Sequence, residues 1–589
     1  MFDKDLSKVL YIDLTRRKFW IENREDLFSK YIGGTGIAIN LLHEECPKGI
    51  DPFHPDNPII FAVGPLTGLF PLCSKTIAMF KSPLTGNLGE SHAGGRSAIS
   101  IRMAGYGAIV IKGSSDEPIY LSIHDNKVDF KIASGIWGVR SSYTVGRILR
   151  EREKGEGIRT IMRIGKAGEK LVRYASVITE TYRHFGRLGL GAVFGSKKLK
   201  AIVVSGKKPI PIKDPIAYKK LYDEIFKEAV ESPIMKKYHE LGTAENVLPL
   251  NKIGGLPTKN LNKAFFEEAE FISGEYLAKN YLGRRIACSH CPVACIHLAA
   301  LREPYEDEPY FFKTTMISYD YELIYSLGSM LGVSDTSNFL KLIDEVEIQG
   351  LDAMSTGVVL AWATEAYEKG LINKEHTLGL DFKWGNVENY IKTVRHIVNQ
   401  PNEFYEDLAK GVEYASNKYG GKDFALSFGG NEMPGYHTGP AGYLGFITGA
   451  RHSHLDSAGY SYDQKNIGKK MEAKEIAEYC FNEESWRQIL SSLVICFFAR
   501  GIYKPNIVSE ALKIAGYNFS EEDLNKIGEE ILKKKYQFKF REGFSMDKMH
   551  IPKRIFETPS PHGLIKEEIL KKAIDTYMEK IFGKPFHSS

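Results

Sequence analysis

The feature that most limits the fold is a change of hydrophobic period near residue 208. Before it, short apolar or alternating runs recur at 9–14, 59–63, 108–112, 119–123, 128–132 and 201–204, separated by Gly, Pro, Asp and Asn. That pattern predicts strands. The Pro-bearing stretch 207–215 reads as a linker. From 217–231 onward apolar residues return at helical spacing with Lys and Glu between them, and helical patterns dominate to about residue 415. The Gly-rich stretch 420–442 is the next break, a third, mainly helical region follows, and 565–582 reads as a closing helix. A length of 589 residues allows about four domains at roughly 150 residues each, and large enzymes use fewer. The expectation is an α+β chain: a β-rich domain over 1–208, then two mainly helical domains over 209–418 and 419–589. A hydrophobic fraction of 43% supports a large buried core.

Charge and hydropathy exclude several roles. With 78 basic and 73 acidic residues the net charge is +5, and no basic run is present. This argues against a nucleic-acid partner. No stretch approaches the ~18 uncharged apolar residues of a membrane span; the most apolar run is 491–499. Met1-Phe2-Asp3-Lys4-Asp5 lacks the basic-then-apolar order of a signal peptide. A cytoplasmic location is therefore expected.

Three of the seven cysteines are bunched, in Cys288-Ser289-His290-Cys291-Pro292-Val293-Ala294-Cys295. In a reducing compartment such a cluster points to metal or redox chemistry rather than disulfides. Thiolates suit zinc and iron–sulfur clusters. A [4Fe–4S] cube takes one thiolate per iron, so a fourth must come from elsewhere. The C-x2-C-x3-C order is the reverse of the radical S-adenosylmethionine arrangement. With His290 and His297 nearby, a Cys3His zinc site is the alternative. Cys496, in the apolar run before residue 499, is the best fourth ligand, although a buried core thiol would look the same. Cys46, Cys73 and Cys480 have no local partners and read as structural.

Two glycine-rich segments carry flanking cations: Gly89-Glu90-Ser91-His92-Ala93-Gly94-Gly95-Arg96, read as a loop after a strand, and Arg183-His184-Phe185-Gly186-Arg187. Glycine lets backbone N–H groups approach an anion, and Arg adds bidentate donors. Together they suggest a phosphate-bearing ligand, without matching a dinucleotide or P-loop fingerprint. Gly350-Leu351-Asp352 is a polar turn whose Asp suits a helix cap or a ligand contact. Asp320 follows an acidic, aromatic stretch. Arg451-His452-Ser453-His454 reads from spacing alone as a surface loop. Pro-Leu-Thr-Gly occurs twice, at 65–68 and 83–86, which predicts two similar turns.

Taken in order, these segments resemble the tungsten-containing aldehyde:ferredoxin oxidoreductase family over nearly the whole chain. The resemblance rests on Tyr31-Ile32-Gly33-Gly34-Thr35-Gly36, the two Pro-Leu-Thr-Gly blocks, Gly89-Glu90-Ser91, Gly186-Arg187, 195–202, the cysteine triplet, Gly350-Leu351-Asp352 and Cys496. It implies a β-rich base for a tungsten bis-pterin (tungstopterin) cofactor with no protein ligand to the metal. It assigns Cys288, Cys291, Cys295 and Cys496 to a [4Fe–4S] cluster. Lys75, His92 and Gly94, then Arg183, His184, Gly186 and Arg187, then Glu347, Leu351, Asp352 and Ile495 become cofactor contacts, with Mg2+ bridging the pterin phosphates. Asp320 and either His452 or His454 become the acid–base groups. The chain departs from the family pattern at Lys75 (usually Arg), His92 (usually Asn), Glu347 and Ser491 (each usually Asp) and Val494 (usually Gly). Lys75 keeps the charge but loses the planar fork.

The implied activity is oxidation of aldehydes to carboxylic acids, with electrons leaving through the cube to ferredoxin or a small ferredoxin-like iron–sulfur subunit. The chain would be a broad-specificity large subunit and an oligomer. Two other readings are a low-potential reductase of activated rings or acids within the same family, and a non-catalytic iron–sulfur electron-transfer subunit.

Overall fold

The computed structural model describes residues 3–583; Met1 and Phe2, which begin the stretch read for a leader, lie outside the described residues. The N-terminal region builds two six-stranded sheets. In the first, Lys8–Asp13 pairs with Lys18–Asn23 on one side and parallel to Ala108–Lys112 on the other. Ile59–Ala62, Thr76–Lys81 and Leu88–Ala93 continue it antiparallel. The second centres on Leu199–Gly206, which lies parallel to Ile119–His124 and antiparallel to Ile158–Ile164. Its far edge is Val177–Thr179 and Arg183–Phe185. Thr76–Lys81 and Leu199–Gly206 are buried at every residue, so they read as continuous apolar runs rather than alternating ones.

The segment around Gly89, predicted as a loop, is a strand. Leu88–Ala93 pairs with Thr76–Lys81 from Thr76↔Ala93 to Lys81↔Leu88. Ladder pairing overrides the weak strand propensity of Gly, Glu, Ser and His. The two Pro-Leu-Thr-Gly segments are both turns and end in the same left-handed conformation, Gly68 at φ 75° and Gly86 at φ 73°.

Helices follow. Pro215–Glu231 starts on an Asp214 cap with Pro at the first helical position. Ala473–Ser492 packs against Gly34–Glu45, Glu521–Arg541 and Glu567–Phe582. No helix among the described residues is long and apolar enough to cross a membrane. The chain is thus a β-sheet region followed by helical ones, as expected.

Several elements were not foreseen, among them the helices Gly34–Glu45, Ser97–Ala104 and Ser142–Arg152 of the β-rich region. A three-stranded antiparallel sheet of Leu282–Ile286, Ile296–Pro304 and Phe312–Tyr319 interrupts the helical middle. Its strands are half exposed and charged toward the hairpin tip, so they lack the clean alternation that marks a strand in sequence. Their role is positional, because the 287–295 cysteine loop closes the end of this sheet between its first two strands.

Candidate functional site

Backbone hydrogen bonds lace three distant segments around the cysteine loop. Cys496 N donates to Leu72 O at 2.9 Å, and Leu72 N to His290 O at 3.0 Å. Lys75 N donates to Val494 O at 3.1 Å, and Ser289 N to Gly95 O at 2.9 Å. Cys288, Cys291, Cys295 and Cys496 are half-buried free thiols. Those of Cys291 and Cys295 are pushed up to about 12, first by burial and then by the other thiols of the group. Four grouped thiols, with Cys291 and Cys295 desolvated, fit a cluster that would take them all as thiolates.

The Cys3His zinc alternative has no support. Both ring nitrogens of His297 face backbone carbonyls, of Cys295 at 3.1 Å and His239 at 3.0 Å. Among the described residues no three His, Cys, Asp or Glu side chains are drawn together tightly enough to hold a single ion. A cube spreads its thiolates over four irons and needs no such closeness. At Gly94 a Cβ would stand 2.7 Å from Cys288 Sγ, so only glycine leaves room for the cysteine loop. Cys46 and Cys480 are buried in the core, and Cys73, buried next to Leu72, has its thiol against the Tyr503 hydroxyl at 3.3 Å.

Beside this loop lies a cavity of about 320 Å³. It collects Lys75, His92, Arg183, His184, Gly186, Arg187, Asp320, Glu347, Leu351, Asp352, His454, Ile495 and Cys496. Gly94 stands behind it, against Cys288. His452 does not reach it. That ring is buried between the Phe446 carbonyl, 3.0 Å from Nδ1, and Lys539 Nζ, 2.8 Å from Nε2. Of the two histidines, His454 is the one that lines the cavity. The Arg451–His454 segment is also not a surface loop, since all four residues are buried. The burial comes from a capping box of Ser453 and Asp456, with Asp456 also taking the Arg451 guanidinium at 2.6 Å.

The cavity is rich in buried donors with no hydrogen-bond partner: Arg183 Nε, Arg187 Nη1, His184 Nε2 and His454 Nδ1. Such groups are costly unless a ligand completes them. Arg187 is already clamped, Nε by Asp352 at 3.1 Å and Nη2 by the Glu432 carbonyl at 2.7 Å, so its third nitrogen is aimed. His184 Nε2 lies 2.7 Å from Glu347 Oε2 without hydrogen-bond alignment. Asp352 also caps Ala353–Glu368, accepting from Met354 N at 3.1 Å. Burial lowers the Arg183 pKa, but Cys288, Cys295 and Asp320 more than offset it, so the net shift is upward and the charge is secure. The unpartnered nitrogens of Arg183, His184 and Arg187 fit an anionic, phosphate-bearing cofactor such as a bis-pterin.

The Nε2 side of His92 is taken up by protein groups. Nε2 lies 2.7 Å from Glu90, and the Arg451 guanidinium stands 3.3 Å away. Burial and the Arg451 charge lower the His92 pKa to about 4. Glu90 is itself paired with buried Lys535 at 2.5 Å. A metal ion on Nε2 would therefore compete with a protein cation.

Asp320 caps the helix Tyr321–Leu327, accepting from Glu322 N at 3.1 Å and Leu323 N at 3.2 Å. The cap directs the next carboxylate, Glu322, into the cavity, where Oε1 lies 3.3 Å from His454 Nε2. Sequence reading missed Glu322. Its one signal was its place two residues after a cap-forming Asp. Burial, then the charge of Asp320, pushes the Glu322 carboxyl up to about 8. Burial, then Arg187 and Arg451, holds His454 well below its ordinary value. Near neutral pH the pair therefore carries one proton, on Glu322. Tyr436 and Tyr460 stack at 4.1 Å, and Tyr238 and Phe498 at 4.4 Å, as apolar walls around it.

Val494 adopts φ 54° where the family pattern has glycine. A β-branched residue in the left-handed region is strained by about 1–2 kcal/mol. Val494 is fully buried in the core, so glycine there would relieve the strain but lose the side chain's packing and leave a cavity. Val494→Gly is expected to destabilise the fold by about 1–3 kcal/mol, read as a lower denaturation midpoint; a higher midpoint would show that the strain dominates.

Comparison with known proteins agrees with this geometry. The family model "Aldehyde ferredoxin oxidoreductase, N-terminal domain" matches residues 9–206, and "Aldehyde ferredoxin oxidoreductase, domains 2 & 3" matches 220–582. The chain is 33% identical over 583 residues to the tungsten-containing aldehyde ferredoxin oxidoreductase of Pyrococcus abyssi, covering 96% of this chain and 94% of that one. It is 30% identical over 433 residues to the WOR-like subunit of an aliphatic sulfonate oxidoreductase from Pyrococcus furiosus, covering 70% of this chain and 67% of that one. A solved chain of the active site complex BamBC of benzoyl coenzyme A reductase shares the fold, with a TM-score of 0.82 at 23% identity over 99% of this chain and 95% of that one. Two matching domain models, near-complete alignment to a tungsten enzyme and a cavity built for an anionic cofactor lead to one conclusion: the chain is an oxidoreductase belonging to the aldehyde ferredoxin oxidoreductase family.

Proposed function

We propose that this chain oxidises aldehydes to carboxylic acids at a tungsten bis-pterin centre, and that electrons leave through a [4Fe–4S] cluster on Cys288, Cys291, Cys295 and Cys496 to ferredoxin or a small ferredoxin-like subunit. The observation that carries this is a single cavity with the Glu322–His454 pair on one wall and Cys496 on another. Acid–base chemistry and an electron exit thus meet in one space. The names of the tungsten-containing relatives support the aldehyde reading.

When bound, the tungsten bis-pterin supplies a two-electron acceptor and the cluster a one-electron path outward. Arg183, His184 and Arg187 hold the cofactor's anionic groups with the donors left free inside the fold. The overall reaction converts aldehyde and water to carboxylic acid, two protons and two electrons. Glu322 and His454 receive and relay the protons, with Glu322 acting as base once ionised. His454, neutral and with Nδ1 unpaired, can hydrogen-bond the aldehyde oxygen or accept a proton. Asp320 holds Glu322 in place through the helix cap. The stacked tyrosines keep bulk water out, which strengthens each of these interactions.

The test is metal analysis of the purified protein together with dye reduction under a panel of aldehydes. About one tungsten and about four iron per chain, with aldehyde-dependent viologen reduction, is the expected result. Iron without tungsten or molybdenum would replace this reading with the electron-transfer subunit. Both metals present with no aldehyde active would replace it with the low-potential reductase.

A further inference from the structure

The first six-stranded sheet ends in an open edge. Its outermost strand, Lys18–Asn23, is exposed at every residue. Phe19, Trp20 and Ile21, three large apolar side chains in a row, are 38%, 46% and 39% exposed. Folded proteins blunt such edges with prolines, bulges or charges, because unpaired backbone groups recruit another strand. Other edges of this chain are protected. The opposite edge of the same sheet, Leu88–Ala93, is buried at all but one residue, and the edge Lys127–Ile132 of the second sheet carries Lys127, Asp129 and Lys131. Lys18–Asn23 has no proline and no bulge, and runs in unbroken register from Lys8↔Asn23 to Asp13↔Lys18. The bond from Arg24 N to Ser7 O at 2.8 Å sets the phase of that ladder. Hydrogen-bonded pairs alternate along an antiparallel ladder. Lys18, Trp20 and Glu22 therefore direct their backbone groups at the neighbouring strand, and Phe19, Ile21 and Asn23 direct theirs outward. Those outward groups have no protein hydrogen-bond partner among the described residues. Glu22 accepts from Trp20 Nε1 at 2.7 Å, and neither Glu22 nor Lys18 is in an ion pair among the described residues.

We propose that this edge pairs with the same edge of a second copy of the chain, joining two six-stranded sheets into one of twelve strands. The strand is self-complementary about Trp20. A two-fold axis there brings Phe19 opposite Ile21 of the second copy, twice, and both residues carry outward backbone groups, so the ladder phase is met. It also brings Trp20 against Trp20, and Lys18 against Glu22 at both ends, in the pairs where side chains stand closest. Moving the axis to Ile21 would set Lys18 against Arg24, two like charges. Moving it to Phe19 would shorten the overlap to three residues. Glu22 can accept from Trp20 Nε1 and from Lys18 of the second copy together, one on each oxygen. Trp20 is held ready, stacked on Tyr11 at 5.3 Å with the rings 6° apart, so little side-chain freedom is lost on association. A foreign strand could meet the backbone groups, but it would need the same alternation of Lys, Trp and Glu to meet the side chains. The contact is isologous and closes on itself. One strand pair covers less than the ~1,200 Å² of a stable complex, so the dimer is reversible. None of this depends on the substrate or the cofactor.

The test is sedimentation velocity of the holoenzyme across about 1–100 μM chain. It is run on the parent, Lys18→Glu, Glu22→Lys, the Lys18→Glu/Glu22→Lys double variant and Ile21→Pro. The parent's average mass should rise from one chain towards two, and amide exchange at Phe19 and Ile21 should slow as it does. Each single reversal sets like charges opposite one another at both ends and should weaken the dimer by about tenfold to a hundredfold. The double variant restores both pairs with their signs exchanged and should return to within about threefold of the parent. Ile21→Pro removes an outward N–H and no bond of the first sheet, so it should abolish pairing while the thermal midpoint of the single chain is held. A parent that stays one chain at about 100 μM overturns the proposal. A dimer whose affinity Ile21→Pro leaves unchanged overturns it in favour of another face. A double variant no tighter than the single reversals overturns it as well. Thermal midpoints show that each variant is folded, and if Ile21→Pro does not fold, the charge exchange still decides.

Discussion

His454→Ala and Glu322→Gln should each lower aldehyde-dependent viologen reduction by about 10²- to 10⁴-fold, the range for losing a positioned acid–base group. Tungsten and iron contents should stay at the parent values, because neither side chain belongs to the cysteine group or to the cationic wall. Unchanged turnover in either variant would remove that residue from the mechanism.

The pH profile adds an independent readout. Burial and the charge of Asp320 keep the Glu322 proton in place up to about 8. If the ionised form is the base, parent turnover rises with pH through about 8 and levels off above it, and this limb is absent in Glu322→Gln. The same shift fixes the sign of its effect on stability. The unfolded carboxyl ionises near 4.5 and the folded one near 8. Between those values the folded state binds more protons, so the contribution of Glu322 to stability is lost as pH rises. Below 4.5 both states are protonated and that contribution is fully present. Thermal midpoints of Glu322→Gln should therefore fall less steeply than the parent's across this window. An unchanged mid-range slope would argue against the shifted carboxyl.

The second large effect is expected at Cys496. Cys496→Ser should lower iron from about four per chain to about three or fewer, and bleach the visible absorption of a cube. Ferredoxin-linked turnover should be lost with it, because this cysteine is the thiol that faces the catalytic cavity. Cys480→Ser, in the buried core away from the loop, should leave the iron content unchanged. Full iron content and an unaltered spectrum in Cys496→Ser would exclude it as a ligand. The backbone bond from Cys496 N to Leu72 O does not depend on the side chain, so the lacing of the loop should survive the substitution. That isolates loss of the ligand from loss of the fold.

Chemistry encoded by short spacing is legible in the amino-acid order alone. The cysteine triplet, the Gly186-Arg187 turn and the Asp352 cap each depend on residues a few positions apart. The period change near residue 208 likewise reports local backbone preference. The resemblance to a family came from such local signals arriving in order.

What required convergence of distant segments was hidden. Glu322 was overlooked because its meaning comes from His454, which stands 3.3 Å away only after folding. His452 and His454 are equivalent in sequence. A capping box placed one at the cavity, and a partner lysine buried the other. The three-stranded sheet was missed because its strands draw their stability from one another rather than from alternating burial.

By itself, the sequence picked out the bunched candidate thiols, the loss of the usual fork at Lys75, and the order of β-rich and helical regions, because these are properties of residue type and near-neighbour spacing. Only the tertiary structure decided which carboxylate meets which histidine, that the Arg451 guanidinium stands beside His92, and that Arg96, Arg150, Lys154 and Arg159 line the same cleft as Cys288. Those are facts of distance and burial, and electrostatic energy depends on both.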